Sequence, residues 1–322
     1  MLYIFFANLI FLASVRGADD NGLHRFVILP DTQIYARFYP NIFKKQVEFI
    51  RRNKERLNIV AVLHEGDIVH MNDERQWPIV AQTISQLDGV VPYIMAIGNH
   101  DMGNHDYRRK YLTRDTALFN QYFPVEKYSA LDSFGGLFNP SNMDNAYHLI
   151  KTAEITWLIL SLEFCPRNEV LEWANRVVAD HAQYPVIILT HLYLYPKTNR
   201  SPTTWHSTKH RYSCQAYLSE NFNNGQQIWD KLISQHKNIL LTFNGHIDRD
   251  GIKISTGRHG NKVYQLVADY QNMGKGGDGY LKILTINPRD RSMTIQTYSP
   301  YLRKYFREPE SNLKLNNINF KP

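Results

Sequence analysis

Two stretches decide how the rest of the chain is read: VAVLHEGDIVH from Val60 to His70 and PYIMAIGNHD from Pro92 to Asp101. Each begins as an apolar, partly β-branched run, the pattern of a buried strand. Each then stops at a glycine followed by groups suited to metal ligation or proton transfer, Asp67 in the first and Asn99, His100 and Asp101 in the second. In open α/β sheets ligands bind beyond the carboxyl ends of the strands. Two neighbouring strands that finish this way predict one shared site.

Working outward, Arg25 to Asp31 (RFVILPD) is an earlier strand ending at an acid, followed by Thr32, Gln33 and Tyr35 in a loop. Pro40 and Asn41 open a helix to about Asn58, with Ile42, Phe43, Val47, Ile50 and Leu57 on one side and charged residues opposite. A second helix is expected from about Asp73 to Leu87, so β-α-β-α-β with right-handed crossovers is predicted through Ile97. From Tyr107 to Asp144 the periodicity fades among Phe119, Tyr122, Phe123, Phe134 and Phe138, and a long aromatic insertion covering the site opening is expected. Asn145–Ile150 and Thr156–Leu162 read as an antiparallel pair. A helix from Glu169 to about Asp180 leads to a strand ending at His191, and a helix from Gln227 to about His236 leads to one ending at Gly245-His246. Short antiparallel strands are expected over 251–255, 263–268 and 279–286, with a last strand over 293–298. The run from Gly274 to Gly279 is not a P-loop, because it lacks the GK[ST] ending and a following helix.

The chain has 322 residues, 43% of them hydrophobic and 13% aromatic, enough for a substantial core. It is neither disordered nor fibrous. A formal charge of +7 permits attraction to anionic partners, yet the cations are scattered and no aromatic-basic signature of a nucleic-acid module accompanies them. Residues 1–17 read as a secretory signal: an apolar run from Leu2 to Leu12, too short to span a membrane, then small residues up to Gly17. Nothing later resembles a transmembrane segment, no internal repeat or linker is visible, and 18–322 is read as one secreted domain. In that setting Cys165 and Cys214 are either one disulfide or two buried thiols. Asn199-Arg200-Ser201 is a sequon weakened by Pro202.

The strand ends at Asp31, Asp67, Asn99-His100-Asp101, His191 and Gly245-His246 share one topological position. Asp, Asn and His held there are the oxygen and imidazole donors that a pair of divalent cations needs. With GD at Gly66-Asp67, GNHD at Gly98–Asp101, His191 and GH at Gly245-His246 in this order, the chain resembles the calcineurin-like metallophosphoesterases over nearly its whole mature length. Within them it is similar to a secreted group whose first motif reads DTQ and whose tail carries DYQ and GGDG, here Asp269-Tyr270-Gln271 and Gly276–Gly279. The resemblance implies an α/β fold, a four-layer αββα sandwich of two mixed sheets.

It also implies roles. Asp67 bridges two divalent or mixed-valence ions, Mn, Fe, Mg or Zn, and Asn99, His191 and His246 complete the second site. Asn99 and His100 contact the substrate phosphate, and His100 is the acid or charge stabiliser, with Asp101 as its orienter, while a metal-bridging hydroxide attacks phosphorus. Tyr35, Asn145 and Tyr147 are implied supporting or phosphate-contact groups, and His64 reads as packing or support. Two imidazoles of the usual pattern are missing, replaced by Gln33 and Asp248. If both ligate, the first site is Asp31, Gln33, Asp67 and Asp248, all oxygen and suited to Mn, Mg, Ca or ferric iron, while the second suits Zn, Mn or Fe. The expected reaction is hydrolysis of a phosphate mono- or diester of a phosphorylated substrate whose class the motifs leave open. The alternative is a secreted binding protein that holds an anionic ligand on a degenerate metal centre. The loop histidines His105, His206 and His210 are candidate substrate contacts in either case.

Overall fold

The computed structural model describes residues 22–103, 110–196, 204–308 and 311–322. The expected signal segment, the Asn199 sequon and His105 lie outside the described residues. The strands are β1 (His24–Leu29), β2 (Ile59–His64), β3 (Tyr93–Met95), β4 (Phe134–Leu137), β5 (Ala146–Lys151), β6 (Thr156–Ser161), β7 (Val186–Leu189), β8 (Leu194–Pro196) and β9 (Thr204–His206). They continue as β10 (Ile239–Asn244), β11 (Arg249–Thr256), β12 (Lys262–Asp269), β13 (Leu281–Asn287), β14 (Ser292–Ser299), β15 (Lys304–Tyr305) and β16 (Asn312–Leu315). One sheet runs β15-β14-β13-β1-β2-β3 with β16 also on β14; the other runs β11-β12-β10-β7-β6-β5-β4; β8 and β9 pair separately.

Both sheets are mixed. In the first, β1, β2 and β3 are parallel and β13 is antiparallel to β1. In the second, β6, β7, β10 and β12 are parallel, with β5 and β11 antiparallel at their flanks. The tail expected to be a run of short antiparallel strands is therefore divided: β11 and β12 extend one sheet, and β13 and β14 build the other.

Period-2 alternation explains the layers. Along β1, Phe26 and Ile28 face the second sheet and pack with Trp157, Ile159, Leu241 and Phe243. Val27 and Leu29 face the other way, onto Phe43, Val47 and Ile50 of the helix Pro40–Asn53 and onto Trp77 and Val80 of the helix Trp77–Ile84. On the outer side of the second sheet, Leu158, Leu160, Val186 and Ile188 meet Val170, Leu171 and Ala174 of the helix Asn168–Asp180. Each such fully buried aliphatic or aromatic side chain contributes roughly 1.5–3 kcal/mol relative to exposure. The order is helix, sheet, sheet, helix, the four-layer α/β sandwich.

The aromatic insertion folds inward. Phe119 and Phe123, each 1% exposed, pack edge-on against Trp77, with centroids 6.0 and 6.2 Å away. They belong to the helical layer of the first sheet, because burying two phenyl rings outweighs holding them over an aqueous opening. Among the described residues no helix is long and apolar enough to cross a membrane.

Candidate metal centre

The carboxyl ends of β1, β2 and β3 and of β7, β10 and β12 meet at one edge of the sandwich, and the residues just beyond them touch. Asp31 Oδ1 and Oδ2 accept from the backbone N–H of His246, both at 3.2 Å, across the two sheets. Asp67 Oδ1 accepts from the His100 N–H at 3.0 Å and lies 3.1 Å from His191 Nε2. The glycines of the motifs are there for close approach: a Cβ on Gly98 would sit 2.1 Å from Asp67 Oδ1, and one on Gly245 2.0 Å from Asp31 Oδ1.

Backbone carbonyls set the histidine tautomers. His191 Nδ1 lies 2.8 Å from the Glu65 carbonyl and His246 Nε2 lies 2.9 Å from the Tyr212 carbonyl. A carbonyl only accepts, so those nitrogens carry protons. Burial keeps His246 neutral with its lone pair at Nδ1; burial opposes charge on His191 too, but Asp67 beside its Nε2 outweighs it and raises that ring. The two facing nitrogens are 3.1 Å apart, and with an Asp67 oxygen they form a cluster within 4.8 Å. A divalent cation there would replace the proton that Asp67 favours on His191 Nε2. Asn99, 2% exposed, has an Oδ1 with no hydrogen-bond partner. A buried orphan acceptor in the loop whose His100 N–H binds Asp67, together with the converging imidazole nitrogens, fits a divalent cation in chemistry and in ligand type. Burial opposes ionisation of Asp67, but the neighbouring His191 and His100 outweigh it and hold the carboxyl below its usual range.

A second cluster adjoins the first. Gln33 Nε2 donates to Asp67 Oδ2 at 3.0 Å and to Gln271 Oε1 at 2.5 Å, and Gln271 Nε2 donates to Asp269 Oδ2 at 2.7 Å and Asp31 Oδ2 at 3.3 Å. Burial, with Asp269 and Asp67 close by, pushes the Asp31 carboxyl well up; burial, with Asp248 and Asp67, raises Asp269 to about 7. Asp248 itself is half-buried between Arg249 and Asn272, and its carboxyl is raised mainly by burial. The structure thus joins Gln33 directly to Asp67 and Asp31 to them through the Gln271 amide, while Asp248 acts on the cluster as a nearby charge.

Within GNHD the placement of Asp101 differs from the orienter role implied by the resemblance. Its Oδ1 accepts from Ile68 and Val69 N–H at 2.8 and 3.0 Å, and its Oδ2 from Gly98 N–H at 2.8 Å. Asp101 therefore ties the loop after β2 to the loop after β3. The ring of His100 is held instead by the His70 carbonyl, 2.7 Å from Nδ1, and by stacking on the His70 ring at 5.1 Å. Burial and the Asp67 charge raise Asp101 to about 7.

His64 supports the site from below, 2.9 Å from Thr32 Oγ1 and accepting from Gly66 N–H at 3.2 Å. Tyr35 Oη accepts from Gly279 N–H at 2.9 Å. Asn145 exchanges hydrogen bonds with Glu163, and Tyr147 packs on Trp173, so both are framework. His206 is buried against Trp229 and Gln265, and His210 pairs with Ser207. Sequence reasoning assigned no role to His70, Asp269 or Gln271. The signal for Asp269 was the same one used elsewhere: Val263 to Ala268 is an apolar run ending in an acid.

The Cys165–Cys214 disulfide secures the wall beside His246. It anchors the segment whose Tyr217 ring lies 5.6 Å from Phe164 and 5.4 Å from His246, and whose Tyr212 carbonyl fixes the His246 tautomer.

Known proteins resemble the chain in sequence or in fold. The chain is 31% identical over 310 residues to the uncharacterized protein YvnB of Bacillus subtilis (strain 168), covering 92% of this chain but 21% of that protein. A purple acid phosphatase, PPD1, from yellow lupin (Lupinus luteus) superposes with a TM-score of 0.56 at 15% identity, over 94% of this chain and 54% of that one, a likeness of fold. A 5'-nucleotidase precursor from Thermus thermophilus aligns with a TM-score of 0.47 at 12% identity, over 91% and 54% of the two chains. The chain therefore spans about a fifth of the curated relative and about half of the lupin enzyme. The calcineurin-like phosphoesterase family matches residues 24–249, the span from β1 to just past His246 that carries GD, GNHD and GH, and to that family of metal-dependent phosphoesterases the chain belongs.

Proposed function

We propose that this chain is a secreted phosphoesterase of the DTQ-bearing group that hydrolyses a phosphate mono- or diester at a centre of two cations. The observation that carries the reading is the convergence of His191 Nε2, His246 Nδ1 and Asp67, with the unpartnered Asn99 Oδ1 in the same motif as His100. Cations held there would polarise the phosphoryl oxygen and acidify a water. The chain's own residues do the rest. Asp67, Asn99, His191 and His246 would hold one ion, and Asp31 and Gln33 with Asp67 would belong to the other. His100, steadied at Nδ1 by the His70 carbonyl, protonates the leaving oxygen from Nε2 or offsets the charge growing on phosphate. Asp101 is a positioning residue, holding the two loops that carry Asp67 and His100 in register. Export is supported by the disulfide, which persists in oxidising compartments, and by the signal-like leader.

The test is turnover of generic monoester and diester substrates after metal stripping and readdition of Mn, Mg, Zn or Fe. Activity should require metal and fall by roughly 10²–10⁴-fold in His100→Ala. A second reading, a secreted protein that binds an anionic ligand without turnover, draws on Gln33 standing where the family usually has an imidazole. No turnover with any metal would favour it instead.

A further inference from the structure

We propose that Asp269 and Gln271 complete the first cation position with Asp31, Gln33 and Asp67, in the place that the sequence pattern assigns to Asp248. The inference rests on the two-cation reading above. Asp31, Asp67 and Asp269 are 3%, 1% and 0% exposed, and what joins them is a pair of neutral amides. The Gln33 amide reaches Asp67 and Gln271, and the Gln271 amide reaches Asp31 and Asp269. Carboxylates gathered out of water are costly unless a cation or strong charged donors compensate them, and a neutral N–H supplies only part of that. Glu65 adds to the demand: it is fully buried, neither of its oxygens has a hydrogen-bond partner, and its Cβ, like Asp31 Oδ1, lies within contact of the space a Cβ on Gly245 would fill.

A carboxamide turns about its last, soft torsion at little cost. Rotating both amides replaces the N–H groups at the centre of the cluster with Gln33 Oε1, now 3.1 Å from His70 Nδ1, and Gln271 Oε1, and His70 Nδ1 then accepts from the turned Gln33 amide in the other tautomer. Three carboxylates and two carbonyl-type oxygens then form an all-oxygen set, which favours hard ions such as Mn or Mg over Zn. The fold keeps the two amides together from both sides. Asp269 is the last residue of β12, parallel to β10 and so ending at the same edge as His246, while Tyr35, in the short helix Gln33–Phe38 that stands where the sequence predicted a loop, accepts from Gly279 N–H across the glycine-rich turn. By contrast, Asp248 lies past the end of β10 beside Arg249 and Asn272.

The experiment is equilibrium dialysis of the purified chain against Mn or Zn alone, with metal content by atomic emission and melting temperature with and without chelator. Wild type, Asp269→Asn, Asp248→Asn and His191→Ala are compared. Asp269→Asn should lose about one Mn per chain and most of the Mn-induced rise in melting temperature. Its chelated form should melt within a few degrees of chelated wild type, about 2–4 °C per kcal/mol, so that the lost Mn reads as a lost ligand and not as a lost fold. His191→Ala should lose the other ion. If Asp269→Asn keeps the wild-type metal content, or Asp248→Asn loses the Mn instead, the assignment is overturned while the two-cation reading stands. If the wild-type chain takes up neither metal, both fall.

Discussion

The three hydrogen bonds to Asp101 are the residue-scale detail on which the geometry of GNHD depends. An ionised carboxylate can accept from Ile68, Val69 and Gly98 at once, whereas the asparagine in Asp101→Asn must aim an N–H at one of those donors. A buried backbone donor left without its acceptor costs about 1–3 kcal/mol. We expect Asp101→Asn to lower kcat about 10- to 100-fold with a smaller change in KM, because it displaces the carriers of Asp67 and His100 without touching substrate. Steady-state kinetics with saturating metal checks this, and an unchanged kcat would contradict the role. Asn99→Ala tests the orphan acceptor: it should weaken metal retention about 10- to 100-fold in a chelator competition, while leaving the metal-free melting temperature within about 1 °C.

At the scale of elements, the disulfide links the start of the segment after β6 to the short helix Cys214–Tyr217 across a sequence separation of 49. Closing a loop of that length removes unfolded-state entropy equivalent to ~4 kcal/mol. Cys165→Ala/Cys214→Ala should therefore melt roughly 5–10 °C lower in a calorimetric scan. It should also lose metal from the imidazole-bearing position first, because Tyr212 and Tyr217 hold His246 from the tethered segment. Retention of full metal content in the double variant would show that β10 alone positions that ring. The two-strand pattern ending in Gly-Asp and Gly-Asn-His-Asp was legible as soon as the apolar runs were, since parallel strands buried on both faces have to be apolar. Helix ends were less legible: the helix expected to reach Asn58 stops at Asn53, and the one expected from Asp73 begins at Trp77, with Pro78 in its first turn.

For the whole molecule, one buried histidine remote from the acidic cluster makes a contribution to stability that should fall on mild acidification. Burial lowers His148 from 6.5 to about 4, so between those values the unfolded chain binds a proton that the fold refuses. This contribution is fully present above pH 6.5 and is lost progressively down to about pH 4, by about 3 kcal/mol. Urea unfolding of wild type and His148→Gln at pH 7 and about pH 4.5 isolates it: wild type should lose more stability between the two than the variant, and equal changes would contradict the assignment. His148 lies in β5 under Phe134, away from the metal centre, so the test reads the fold and not the site.

The sequence by itself determined the strand ends, because burial on both faces forces apolar runs, and the polar groups just past each run mark where a strand leaves the core. Asp31, Asp67, Asn99, His100, His191 and His246 stand among those groups. What only the tertiary structure decided were contacts between segments far apart in the chain. The Gln33 amide meets Gln271 over a separation of 238 residues, His100 takes its support from the His70 carbonyl and not from the adjacent Asp101, and Asp269 reaches Asp31 through an amide. A local pattern reports how one strand is buried; which side chains share a site depends on how two sheets pack, and no single run of residues encodes that.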